Sequence, residues 1–440
     1  MKKIKFITTL LSLLILSELY SQVPEPAPEQ NKPIVLFGAT AHIGNGEVIE
    51  NSLIGFENGK LIFVVQAGLA RIDLSNFEQI DVTGQHVYPG FILPNSQIGL
   101  IEVSSIQATI DQTEVSDFSP NVRTQIAYNT DSKLIPTLRY NGILLTECAP
   151  AGNRISGTSS VMNLEGWNWE DATFKKDIGI HLNWPSRLTN DFNNLTYRYE
   201  KVKNKNYESS MQGLRSFFEE CTSYNAEETK NKNLKLEAMQ GLFSGEKILF
   251  IHADGTKEII ESIKFAQEFN VQKIAMIAGT GSIDAASFLV ENNIPVIMQN
   301  VHSLPNTQDM EYDLPYRLAS ILNNAGVQVS LSYTSLSSCR NLPFFAGTAV
   351  TYGVDYETAI QMITLNTAKA LGIDDEVGSI VEGKRATLFV SKGDALNMMT
   401  NAVTYAFIDG KMIDLEGEQQ LLYERYAKKY TEEGIEIESE

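Results

Sequence analysis

Few residues in this chain stand where they could do chemistry. There are five histidines in 440 residues. His252 closes the apolar run ILFIHAD, and His302 follows another in MQNVHSLP. A lone imidazole at a strand end can ligate a metal or move a proton, or it can be a hydrogen-bonded structural residue. Glu147 and Cys148 close NGILLTEC; a thiolate nucleophile there would need a lowered pKa and a base such as His181 or His302 brought close. Tyr333 and Thr334 end VQVSLSYT. In AGNRISGTSS, Arg154 with Asn153 and Ser156 offers a guanidinium fork and loop amides to an anionic or carboxylate ligand, or forms only a well-ordered turn. Trp167, Trp169 and Trp184 could line a pocket or pack helices onto a sheet. His181 lies inside an apolar run and reads as a core or wall residue, while His42 and His86 fall in a different module, away from this chemistry.

The elements that must position these residues are legible as texture. Residues 33–90 contain short runs such as IVLFGATAHI and SLIGFENGKLIFVV, rich in β-branched and aromatic residues and broken by Asn-Gly and Thr-Gly turns, as in a small β-module. From 91 to 375, apolar runs (DIGIHLNW, KILFIHAD, KIAMIAGT, IPVIMQNV) alternate with amphipathic segments such as TKEIIESIKFAQEFN. That alternation predicts an α/β fold with a parallel sheet and outer helices, and its count favours a (β/α)8 TIM-like barrel. Residues 376–415 return to short strands, best paired with 33–90 into one β-sandwich built from N- and C-terminal segments. The remainder, 416–440, reads as a helix and acidic tail. The polar insert Glu102 to Lys133 reads as a lid or a disordered loop. In a barrel, chemistry sits at the C-terminal ends of the strands, where His252, His302 and Thr334 fall.

Composition excludes some partners. With 54 acidic against 35 basic residues and a net charge of −19, the surface repels phosphate backbones and anionic headgroups, so neither nucleic acid nor a membrane is an expected partner. Lys2, Lys3 and Lys5 before the apolar run Phe6 to Leu16, with a small residue at Ser21, predict a signal peptide over 1–21 cut near Ser21/Gln22, then a proline-rich linker over 22–32. The expected location is periplasmic or secreted. Three widely spaced cysteines imply no disulfide framework, and three buried thiols are expected.

In this order the pieces resemble the amidohydrolase superfamily, especially its imidazolonepropionase-like branch. Tyr88-Pro89-Gly90-Phe91-Ile92 is similar to the family's strand one, Asn366 with Ala368, Lys369, Leu371 and Gly372 to its last barrel helix, and Gly378-Ser379 and Glu382-Gly383-Lys384 to the turn into the closing sandwich. The resemblance implies one or two metal ions at the barrel mouth. Their ligands would be a His-x-His pair after strand one, a carboxylated lysine after strand four, single histidines after strands five and six, and an Asp after strand eight. Such a site lowers the pKa of bound water to about 7 and hydrolyses C–N bonds outside peptides.

Residue by residue, the pattern departs from this. Asn95 and Gln97 occupy the two His places, and neutral carboxamides are weak ligands for zinc. His252 stands at the strand-five His, the strand-six place offers only Ala278, Gly279 and Thr280, and Thr334 beside Tyr333 stands at the Asp. Lys201, Lys203 and Lys205 fall in a polar segment read as helical, and none aligns with the strand-four lysine. The expectation is therefore a catalytically degenerate member without a cofactor, binding a small-molecule ligand or supporting a partner. The alternative is an active C–N hydrolase rebuilt around a single divalent metal such as zinc, held by His252 with His302. A homodimer, or a hetero-oligomer with an active relative, is compatible with either.

Overall fold

The computed structural model describes residues 25–69, 71–194, 197–226, 232–305 and 310–432. The expected signal peptide, the first residues of the linker and the end of the acidic tail lie outside them. Pro26–Leu415 forms one compact unit, and the helix Glu418–Glu432 belongs to a second. No helix among the described residues is long and apolar enough to cross a membrane.

Strands β1 (Ile34–Phe37), β4 (Ser52–Glu57), β5 (Lys60–Gln66) and β6 (Glu78–Asp81) form a four-stranded sheet in the order β5-β4-β1-β6. A second sheet has the order β20-β19-β18-β7-β2-β3. It joins β2 (Thr40–His42), β3 (Val48–Ile49) and β7 (His86–Pro89) from the front of the chain to β18 (Leu388–Ser391), β19 (Val403–Ile408) and β20 (Lys411–Met412) from the back. The register Leu388↔Pro89 through Ser391↔His86 carries that join. Leu36, Ile54, Phe56 and Leu61 of one sheet meet Val87, Leu388, Val390 and Phe407 of the other in a shared apolar core. The composite β-sandwich is thus as the sequence predicts.

The barrel sheet has eight strands: β8 (Phe91–Ser96), β9 (Ile143–Cys148), β10 (Ile155–Asn163), β11 (Thr173–Asn183), β14 (Ile248–His252), β15 (Ile274–Ala278), β16 (Val296–Gln299) and β17 (Val329–Ser332), neighbours in that order. β17 also packs on β8, where the Ser332 hydroxyl donates to the Pro94 carbonyl at 2.6 Å, so the sheet curls almost to closure. Helices Thr256–Glu268, Ser282–Glu291 and Leu314–Asn324 supply the crossovers between the last four strands. This is the expected TIM-like barrel with one departure. β10 runs antiparallel to both β9 and β11. The link Ala149–Arg154 is too short for a crossover, so the chain can only reverse. AGNRISGTSS is therefore a turn followed by a strand.

Two further expectations are corrected. Lys201 and Lys203 lie on a hairpin of β12 (Leu188–Asn193) and β13 (Arg198–Lys203), not on a helix. The insert Glu102 to Lys133 is fastened to the barrel: Phe118 and Arg123 bridge to Ile155 and Thr158, and the Thr124 hydroxyl donates to the Cys148 carbonyl at 2.6 Å. These bonds supply partners for backbone that its polar sequence does not advertise.

Candidate functional site at the barrel mouth

The barrel interior is polar where five strands meet. Glu147 near the end of β9 has no exposed surface, nor have Ser159 on β10 and His181 on β11. The Glu147 carboxylate accepts three hydrogen bonds: from the Asn95 backbone N–H (2.8 Å), from the Ser159 hydroxyl (2.8 Å) and from His181 Nε2 (3.1 Å). His181 Nδ1 lies 3.0 Å from His252 Nε2. With His181 Nε2–H committed to the carboxylate, its Nδ1 accepts, and His252 must donate from Nε2. A relay Ser159–Glu147–His181–His252 therefore runs from the sealed interior to the mouth.

Local backbone geometry makes the first bond possible. Asn95 has φ of 50°, in the left-handed region that Asn tolerates better than most residues. The pairing of β8 with β9 slips between Leu93 and Ser96. Together these turn the Asn95 N–H toward Glu147. The Asn95 carboxamide makes no hydrogen bond among the described residues, nor does that of half-buried Gln97.

At the mouth His252 lines a cavity of about 370 Å³ with Trp184, Ser186, Asp254, Glu258, Ile277 and Gln299. Its imidazole is pushed down to about 3, first by burial and then by His181, so it is neutral at physiological pH. Asp254 is fixed by accepting the Gly279 N–H at 3.0 Å. Trp184 is buried, its backbone N–H donates to the His252 carbonyl and its ring meets Phe265 edge-on. Trp167, by contrast, is largely exposed.

The structure separates the other candidates. His302 is exposed on the flank of helix Leu342–Thr351, with Nε2 2.7 Å from the Thr348 hydroxyl and its ring against Phe345 and Tyr316. It lines a different cavity, of about 600 Å³, with Tyr356, Asp394 and Met398. Tyr333 stacks on Phe345 and its hydroxyl reaches the His302 carbonyl at 3.4 Å, while the Thr334 hydroxyl reaches Asn300 Oδ1 at 3.4 Å. His42 bridges Glu357 (2.7 Å) and His86 (3.1 Å) between the sandwich and the helix Tyr356–Met362. Arg154 and Asn153 do come together, in a third cavity of about 420 Å³ with Asp117 and Asn183.

Cys148, Cys221 and Cys339 are free and buried, as the sequence leads one to expect. Burial raises the Cys148 thiol to about 12. Among the described residues no base reaches its sulfur, which hydrogen-bonds the Ile98 carbonyl. A thiol reagent added to the native protein is expected to label none of the three within minutes and all of them in denaturant; rapid native labelling of one equivalent would contradict this burial.

A hydrolytic metal requires several imidazole or carboxylate atoms converging on one point. Among the described residues no group of three His, Cys, Asp or Glu side chains is so placed. The facing nitrogens of His181 and His252 bond each other, and the Glu147 carboxylate is held by three donors. This donor set does not fit a zinc site of the kind the fold family uses. The relay was hidden in the sequence because its members are 34 and 71 positions apart. Asp254 and Glu258 were within reach, since both follow His252 on the same strand-to-helix turn.

The fold is shared with solved hydrolases. An amidohydrolase from Thermotoga maritima superposes with a TM-score of 0.74 at 22% identity, over 86% of this chain and 99% of that one. The amidohydrolase family model matches residues 315–413. The imidazolonepropionase of Picrophilus torridus is 29% identical over 192 residues, 42% of this chain and 46% of the relative. The 5-methylthioadenosine/S-adenosylhomocysteine deaminase of Saccharophagus degradans is 35% identical over 80 residues, 15% of this chain and 18% of that protein. These matches span less than half the length of the curated relatives. The chain thus has the fold of a solved amidohydrolase, and the amidohydrolase family model is matched within its C-terminal part.

Proposed function

We propose that this protein is a catalytically degenerate amidohydrolase that binds a small molecule at its barrel mouth, and that it works in the periplasm. The observation that carries the reading is the Glu147 carboxylate. It lies buried in the barrel with each oxygen engaged by protein donors, and a carboxylate so held is neither a free base nor an open ligand. Asn95, Gln97 and Thr334 at the places of the family's ligands support the same reading, as does the neutral His252. The mouth retains a polar cavity with an indole, a carboxamide and two carboxylates, suited to holding a small polar molecule. The periplasmic location rests on the lysines and apolar run of the first residues.

The test is turnover. Amides, cyclic ureas and dipeptides are offered to the wild type and to His252→Ala with zinc, manganese or iron added. The expected result is no hydrolysis that depends on His252. Metal-dependent turnover abolished in His252→Ala would establish a rebuilt hydrolytic centre and overturn the proposal.

A further inference from the structure

The cavity beside Arg154 is built around a cation that makes no direct ion pair among the described residues, although the Asp117 charge acts on it through space. Arg154 is half-buried. One of its nitrogens, Nη1, donates to the Asn183 carbonyl at 2.6 Å, and its remaining donors make no hydrogen bond or ion pair among the described residues. A guanidinium has five N–H donors, and desolvating it without a carboxylate is costly.

Asp117 lines the same cavity. Its backbone carbonyl accepts the Ile155 N–H at 2.9 Å, which holds it next to Arg154 in the fold. Its side chain is exposed and makes no hydrogen bond or direct ion pair among the described residues. An acid and a base thus share one cavity wall without neutralising each other by contact.

The walls are braced. Asn153 Nδ2 donates to the carbonyls of Glu114, Val115 and Ser116 (3.0–3.3 Å), so this amide holds the turn that carries Asp117 and is not free for a ligand. Asn183 Nδ2 likewise holds the Gly152 and Asn153 carbonyls and the Ser156 hydroxyl. Ser209, Ser210 and Gly213, from the first turns of the helix Tyr207–Ala226, also line the cavity.

We propose that this cavity binds a free α-amino acid as its zwitterion, the carboxylate on the open edge of Arg154 and the ammonium on Asp117. A monoanion would leave Asp117 repelling it, and a simple amine would face Arg154; a molecule carrying both charges on one carbon satisfies both walls. A cavity of about 420 Å³ leaves room for a side chain. This cavity shares no lining residue with the one beside His252, so the inference goes beyond the proposed barrel-mouth site.

The experiment screens the full chain against each common L-amino acid at millimolar concentration by thermal shift, followed by calorimetry on those that shift it. Propionate and ethylamine serve as one-charge controls. At least one amino acid is expected to bind, with Arg154→Met weakening it about 10- to 100-fold and Asp117→Asn about 10-fold, as for hydrogen bonds to charged groups. Asp117→Asn keeps the test alive if Arg154→Met fails to fold, because the Asp117 side chain holds nothing in the structure. Three results would overturn the proposal: no amino acid binds, binding is unchanged in both variants, or propionate binds as well as the amino acids. Metal content of the same sample separates the failures. Stoichiometric metal would strike at the degenerate reading, whereas metal-free protein that ignores amino acids would strike at this inference alone.

Discussion

Replacing Glu147 by alanine is expected to cost about 3–5 kcal/mol of folding stability, because three buried donors lose their common acceptor. The substitution leaves the Asn95 N–H, the Ser159 hydroxyl and the His181 Nε2–H without an acceptor in a region sealed from water. Each orphaned donor costs about 1–3 kcal/mol, and their neighbours relax enough to recover part of the sum. Glu147→Gln keeps one acceptor oxygen and a similar volume, and His181 can present its other tautomer to the new amide. It should fall between the two. Urea denaturation of the three proteins measures the difference, and a Glu147→Ala variant within about 1 kcal/mol of wild type would show that the carboxylate is not the centre of the network.

Acid should weaken the fold through His252. Its imidazole sits at about 3 in the folded protein, against an ordinary 6.5. Between these values the unfolded chain takes up a proton that the folded chain refuses. The contribution of a neutral His252 is therefore complete above pH 6.5 and falls away as the pH drops toward 3, at up to about 1.4 kcal/mol per pH unit for one group. Carboxylates elsewhere also respond to acid, so the comparison is with His252→Gln, which cannot titrate. The stability difference between wild type and variant should shrink or reverse as the pH is lowered from 7 to 4. A difference that stays constant over this window would mean that His252 protonates freely in the folded state.

Much of the fold was legible in the chain because burial on both faces of a barrel strand writes a continuous apolar run. ILFIHAD and KIAMIAGT are such runs, and β14 and β15 lie where they predict. The closing motif around Gly378 was equally readable for a physical reason. Gly378 has φ of 86°, and a Cβ there would lie 2.7 Å from that of Ala368, so the turn admits little but glycine. What escaped was β10, whose Ser156, Gly157, Thr158, Ser159 and Ser160 lack the bulky residues that announce a strand. Their small polar side chains are buried in the barrel, where they leave room for Glu147 and His181. The exposed hairpin of β12 and β13 also escaped, because with little burial no alternation is imposed on it.

The candidate site was only partly legible. The strand-end positions of Asn95, His252 and Thr334 followed from the apolar runs alone. His181 was expected to be a satisfied core or wall residue; it is buried as expected, and its two partners make it the middle of the relay. No sequence spacing encodes that arrangement, since β9, β11 and β14 are brought together by the curvature of the sheet. His302 stood at a strand end too, yet Thr348 and Phe345 hold it on the outer helix layer.

The measurement that bears most directly on this account is metal analysis by inductively coupled plasma of protein purified without chelator, after exposure to zinc, iron and manganese, alongside His252→Ala and His302→Ala. The account predicts no stoichiometric metal in any of the three proteins, because the relay already occupies the atoms a metal would need. About one ion per chain, lost in His252→Ala, would contradict it and place a working hydrolytic centre at the mouth of the barrel.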